Sequence, residues 1–302
     1  MKIEDLIGNK IPPIGFGPGT NKYLRYKHKP QGLLYFLFRV YNKFIYQSFT
    51  STRYVSSVKS ALQAGFRLID YSSAYGDGKL IGMAIKKSGV PRESLFITTR
   101  ISNRAQETHS VRDEFFKCLK GLDVEYVDLL QFHWPVTDLY LDTWREMEKL
   151  YEEGYVRHLG VANCHQHHLE EIFKICKYKP EIGQFEIHPL FTQKELIQYY
   201  KEKGILVEAY TSIARYDDRL VRLPLLKRLE EKYNKTFVQI ILRWHIQNGV
   251  IPLVRSMSSK HQKDNINIFD FELSDEDMKE IDSININSRL RFDPDNCDFS
   301  IL

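Results

Sequence analysis

The chain has 302 residues, of which 43 % are hydrophobic, 27 % charged and 13 % aromatic, which excludes disorder, collagen-like repeats and small disulfide scaffolds and predicts a large core. A net charge of +4 is too small to make nucleic acid the main partner. The most apolar run, GLLYFLF at 32–38, falls far short of the ~20 residues of a membrane span, so no transmembrane segment is expected.

The distribution of charge is more telling than its sum. No acidic residue occurs from Leu6 to Ile69, while Lys22, Arg25, Lys27, Lys29, Arg39 and Lys43 crowd one stretch. The N-terminus MKIEDLIGNK carries acid where a secretory signal would be basic and then apolar, and Cys118, Cys164, Cys176 and Cys297 show no C-x-x-C spacing. A reducing cytoplasm is the expected setting.

In chain order, a strand is predicted at 13–17, followed by the basic stretch at 21–47 and a helix at 54–64. Strands at 66–70, 95–101, 126–133, 156–162, 182–188, 205–211 and 250–256 then alternate with helical periods. The helices fall at 79–87, at 110–122 with Ser110 as N-cap, at 141–153 closed by Gly154, at 166–176, at 193–203 closed by Gly204, and at 223–233 and 236–247. Strands apolar almost throughout, separated by amphipathic helices, predict a parallel sheet covered on its outer face. Eight such units predict an α/β fold, a closed (β/α)8 TIM barrel in a single domain over 1–302, with an N-terminal β-hairpin and an extended basic first βα connection at 21–47.

Barrel chemistry sits at the C-terminal ends of the strands, and there Asp70, Arg100, His133, Asn163, Gln184, Tyr210 and Ser256 gather. Turns and caps explain one such residue alone, but seven on one rim point to a site. Reduction of a carbonyl by hydride requires a proton donor near pH 7, and a tyrosine hydroxyl beside a cation and an imidazole supplies both proton and field. The tyrosine pKa of ~10 must be lowered, which a buried cation fixed by an aspartate does. Asp70, Tyr75, Arg100 and His133 offer that set. Two other patterns are set aside. Gly15, Gly17 and Gly19 lack the following helix of a phosphate loop and mark a strand end. His165, His167 and His168 begin a helix with a spacing that does not gather three imidazoles on one face, so solvated surface is expected and no metal site.

These residues resemble a known family, the aldo-keto reductases, over 11–265. GFRLIDYSSAYGDGKLIG at 65–82 is similar to the family signature with an aspartate and, five residues later, the proton-donating tyrosine, which implies those roles for Asp70 and Tyr75. YVDLLQFHWP at 126–135 is similar to the histidine strand, so the resemblance makes His133 the carbonyl-orienting residue and Trp134 a wall of the substrate pocket. TWREMEKLYEEGYVRHLGVANC at 143–164, GQFEIHP at 183–189 and EAYTSI at 208–213 match further blocks. They imply that Asn163 and Gln184 hold a nicotinamide amide and that Tyr210 stacks on its ring. RSMSSKHQKDN at 255–265 is similar to the adenosine-phosphate segment and places Arg255, Ser256, His261 and Asn265 there. The implied cofactor is NADP(H), and the implied partner a small carbonyl compound.

Departures from the pattern matter as much. The family's catalytic lysine reads Arg100, the serine before Asn163 reads Ala162, and the tryptophan after the first strand is missing from GFGPGTNK. An arginine supplies charge but cannot lose its proton, and a bidentate pair with Asp70 would point it away from Tyr75. Two functions therefore stand side by side: an NADP(H)-dependent carbonyl reductase, and a nicotinamide-binding sensor or scaffold silenced at Arg100. The stretch at 21–47 likewise has two readings, a basic loop packed over the rim or a receiver of an anionic substrate or membrane surface.

Overall fold

Every predicted strand forms, trimmed by at most two residues at either end: β1 Gly15–Phe16, β2 Leu68–Asp70, β3 Phe96–Ile101, β4 Val127–Phe132, β5 Val156–Ala162, β6 Ile182–Glu186, β7 Leu206–Tyr210 and β8 Val250–Val254. They close into one parallel barrel in sequence order, β8 pairing back onto β1 through Gly15–Leu253 and Phe16–Val254. The structure is a computed structural model that describes residues 11–19, 47–75 and 78–299. The expected N-terminal hairpin and the basic connection, with Lys22 to Lys43, lie outside the described residues.

The main covering helices are α1 Gln47–Ala64, α2 Gly78–Ser88, α4 Val111–Leu122, α5 Tyr140–Glu152, α6 Gln166–Ile175, α7 Lys194–Glu202, α9 Pro224–Tyr233 and α10 Phe237–Gln247. Four more were not predicted: α3 Asn103–Glu107, α8 Asp218–Val221, α11 Ser259–Ile266 and α12 Asp275–Asp282. They are short or polar all round, so no apolar period marks them. Caps do mark all four: Ser102, Asp217, Ser258 and Ser274 accept bonds from the first-turn amides of α3, α8, α11 and α12. Ser110 is the N-cap of α4 as expected, though its hydroxyl bonds Thr108 Oγ1 at 2.7 Å rather than the helix. No helix among the described residues is long and apolar enough to cross a membrane.

The barrel interior is layered. Leu68, Phe96, Leu129, Ile182, Leu206 and Ile251 fill the floor with apolar side chains. Because alternate residues of a strand share a face, two steps further along β2, β4, β6 and β7 bring Asp70, Gln131, Gln184 and Glu208 inward above that floor. Removing a floor leucine leaves a cavity costing about 2–5 kcal/mol, so the polar layer rests on a stiff base. The other face packs on helices as tightly: a Cβ at Gly183 would lie 1.9 Å from Tyr200 Cε1.

One expectation fails at α6. His165, His167 and His168 do converge, their ring centroids 3.9–6.3 Å apart, and His165 Nδ1 lies 2.7 Å from Asp295 Oδ2. The spacing rule holds within a helix, whereas His165 is the N-cap with extended backbone, so its ring folds back over the first turn.

Candidate active site

The site is assembled from the polar layer upward. Arg100, on β3, is 2 % exposed. Its Nη2 donates to Asp70 and to Gln184 Oε1 at 2.7 Å, its Nε to Gln131 Oε1 at 3.1 Å and its Nη1 to the Tyr71 carbonyl at 3.4 Å. Gln184 Nε2 in turn donates to Asp70 Oδ1 at 3.0 Å and to Glu208 Oε2 at 2.8 Å. Burial opposes the Arg100 charge, but Asp70, Tyr75 and Glu208 more than offset it and raise its pKa above the ordinary value. Burial, with Asp70 adding repulsion, pushes Glu208 up to about 7. Its Oε1 has no partner among the described residues.

Tyr75 ends a 3-10 turn, Ser73–Tyr75, that follows β2. Glu114 of α4 pins the turn and the loop after β3 together, with its Oε1 2.6 Å from Ser73 Oγ and 2.7 Å from the Ser102 amide. Tyr75 is half-buried and packs edge-on against His133, their centroids 6.1 Å apart. Burial, helped by the charges of Arg100 and Arg291, lowers the His133 pKa to about 3. Asn163, just past β5, donates from Nδ2 to the His133 carbonyl at 2.9 Å and accepts from the Tyr210 hydroxyl at 2.7 Å. Trp134 is buried, its ring 6.4 Å from those of His133 and Phe299.

Asp70, Tyr75, Arg100, His133, Trp134, Asn163, Gln184 and Tyr210 line one open cavity of about 1050 Å³. Gly17 faces Asp70, and beyond it, at the far end, stand Gly19, Arg255 and Ser256. Ser256 is tied into the α1–α11 contact, its carbonyl accepting from Ser57 Oγ at 3.0 Å and Gln262 Nε2 at 2.9 Å. Asn163, Thr211, Ala214, Arg215 and Tyr216 all have positive φ, between 47° and 61°. A β-branched residue such as Thr211 rarely adopts that conformation, and such strain clusters at ligand clamps. Of the predicted residues, His261 is exposed and Asn265 buried on α11, and neither lines the cavity.

The Aldo/keto reductase family model matches residues 46–286. The chain belongs to the aldo/keto reductase family. It is 43 % identical over 239 residues to the glyoxal reductase of Bacillus subtilis, covering 79 % of this chain and 86 % of that one. Among solved structures, an aldo-keto reductase from a Medee basin deep-sea metagenome library superposes with TM-score 0.82 at 31 % identity, covering 95 % and 96 % of the two chains. A Bombyx mori aldo-keto reductase in complex with NADP superposes with TM-score 0.79 at 28 % identity, covering 94 % and 92 %.

Within this family frame, Arg100 meets Asp70 through one nitrogen and not as a bidentate pair, which leaves its charge in the field of Tyr75. Locking against Asp70 and proximity to Tyr75 thus coexist. Several polar residues of the site escaped the sequence reading, among them Gln131, Glu208, Arg215 and Arg291. The first two sit two residues before His133 and Tyr210, where strand period would have found them. Arg291 lies outside every predicted element.

Proposed function

We propose that this aldo/keto reductase uses NADP(H) to reduce an aldehyde, ketone or sugar carbonyl, as one barrel domain, with Tyr75 as proton donor. The observation that carries the reading is the buried Arg100 guanidinium, bonded to Asp70, Gln184 and Gln131 with Tyr75 in its field, beneath a cavity lined by His133 and Trp134. The far end of that cavity suits a dinucleotide phosphate. A Cβ at Gly19 would lie 2.9 Å from Arg255 Nη1, so the guanidinium rests on bare backbone, in a cavity end it shares with Ser256. A planar cation and a hydroxyl suit a 2′-phosphate. The Bombyx mori relative's NADP and the Bacillus relative's glyoxal reductase name support the same cofactor and substrate class. Free cysteines at 118 and 164, both buried, accord with a cytoplasmic setting.

A reduced nicotinamide, when bound, would supply hydride to the carbonyl carbon. The Tyr75 hydroxyl gives its proton to the oxygen as negative charge develops there, worth ~10²–10⁴-fold. Arg100 stabilises the phenolate left behind and Asp70 fixes Arg100; water restores the proton at the half-buried ring. His133 is not the acid. Held neutral, with a pKa near 3, it carries one ring proton, which it donates in a hydrogen bond to the carbonyl oxygen and keeps. Asn163, Gln184 and Tyr210 would hold the nicotinamide, and Arg255 and Ser256, which line the cavity where His261 and Asn265 do not, the adenosine phosphate.

The scaffold reading draws on one observation: Asn163 and Gln184 are already bonded to protein partners. Titrating NADPH by its fluorescence beside a panel of reactive aldehydes separates the two. Binding with turnover well above background is expected; binding without turnover on any aldehyde would establish the scaffold.

A further inference from the structure

Glu186, the last residue of β6, is fully buried. Its carboxylate accepts from the backbone amides of Leu290 at 2.7 Å and Arg291 at 3.0 Å, and lies 3.0 Å from His188 Nε2. One buried carboxylate holding two successive amides fixes the chain in a single register there. The segment is anchored at two further points. Asp295 meets His165 at the start of α6, and the Phe299 carbonyl accepts from Asn103 Nδ2 of α3 at 3.2 Å while its ring packs on Trp134. The segment therefore spans the mouth from the end of β6 to the end of β4, the side occupied by His133 and Trp134 and opposite Gly19 and Ser256.

Arg291 projects from this segment into the cavity. It is half-buried, lies near Phe292 with its Cζ 5.7 Å from the ring centroid, and makes no ion pair among the described residues. Its charge reaches both His133 and Tyr210. The cavity lining holds one acid, Asp70, and that acid is bonded to Arg100. A guanidinium whose backbone is fixed by Glu186, lining the cavity of the reacting groups and lacking a carboxylate partner among the described residues, suits an oxyanion.

We propose that Arg291 is a specificity residue that binds a carboxylate or phosphate on the carbonyl substrate, so that anionic carbonyl compounds are preferred over neutral ones of the same shape. This rests on the reductase reading. The test compares 4-carboxybenzaldehyde with methyl 4-formylbenzoate, and glyceraldehyde 3-phosphate with glyceraldehyde, using the full chain and NADPH. At least one pair should show a tenfold or greater preference in kcat/KM for the anion, carried mainly by KM, and the pair that shows it identifies the anion. Arg291→Gln should bring that ratio near one and Arg291→Lys should keep part of it. A ratio near one for both pairs in the unaltered protein, a ratio preserved in Arg291→Gln, or a loss confined to NADPH affinity would each overturn the proposal. Calorimetric binding of the two benzaldehydes to protein saturated with NADP⁺ reads the preference without turnover. A protein that binds the acid tenfold better yet reduces nothing would refute the reductase reading alone, and an active protein without the preference would refute this inference alone.

Discussion

Arg100 stands where the family pattern has lysine, and its three nitrogens are committed to Asp70, Gln184, Gln131 and the Tyr71 carbonyl. A lysine at that position offers one nitrogen, which keeps Asp70 and leaves Gln131 Oε1 without its donor, while Gln131 Nε2 keeps the Val161 carbonyl. Arg100→Lys should therefore change kcat by less than about tenfold, whereas Arg100→Met, which strands a buried carboxylate, should cost about 3–5 kcal/mol in stability. Urea unfolding and steady-state rates on both variants check this. Glu208 titrates near 7. As pH rises through that value it gains negative charge beside Arg100, weakening the field that favours phenolate at Tyr75, so kcat should fall. Glu208→Gln should remove that inflection from the pH profile of kcat, and an unchanged profile would exclude Glu208 as its source. The residue types at Asp70, Tyr75, His133 and Arg100 were legible from the sequence. The shared bonding of Arg100 was not, because it depends on which side chains face one another across Arg100–Gln131 and Gln184–Glu208 pairs in the barrel register.

At the scale of elements, the strands were legible because β3, β4, β6 and β8 are buried along their whole length and so read as apolar runs. α11 was not, since SKHQKDNI has no apolar stripe. That helix matters, because Arg255 and Ser256, proposed for the adenosine phosphate, lie between the end of β8 and its start. Arg255→Ala should raise the dissociation constant for NADPH by about tenfold or more, the scale of a charge-assisted pair, with little effect on NADH. Equal losses for the two cofactors, measured by fluorescence titration, would place the 2′-phosphate elsewhere. The loop after β7 adds a second feature invisible to sequence: left-handed backbone at Thr211, a β-branched residue that gives no turn signal.

For the molecule as a whole, buried titratable groups make stability depend on pH. His133 and His245 are lowered to about 3 and His168 to about 4, in each case chiefly by burial, while Glu208 is raised to about 7. Between pH 5 and 6.5 the unfolded histidines take up protons that the folded ones refuse, and folded Glu208 keeps a proton that the unfolded chain has lost. Unfolding should thus take up about two protons net at pH 5, falling to about one or fewer by pH 6.5, so stability should rise with pH across that window by about 1.4 kcal/mol per unit per proton. Urea midpoints at pH 5 and 6.5 read the sign, and a higher midpoint at pH 5 would contradict it. The central claim, that a barrel of this family carries out carbonyl reduction with Tyr75 as the acid beside an arginine, is tested most directly by Tyr75→Phe. With a reactive aldehyde and saturating NADPH, kcat should fall by at least ~10²-fold while the NADPH dissociation constant stays within about twofold, and near-normal turnover in that variant would contradict the claim.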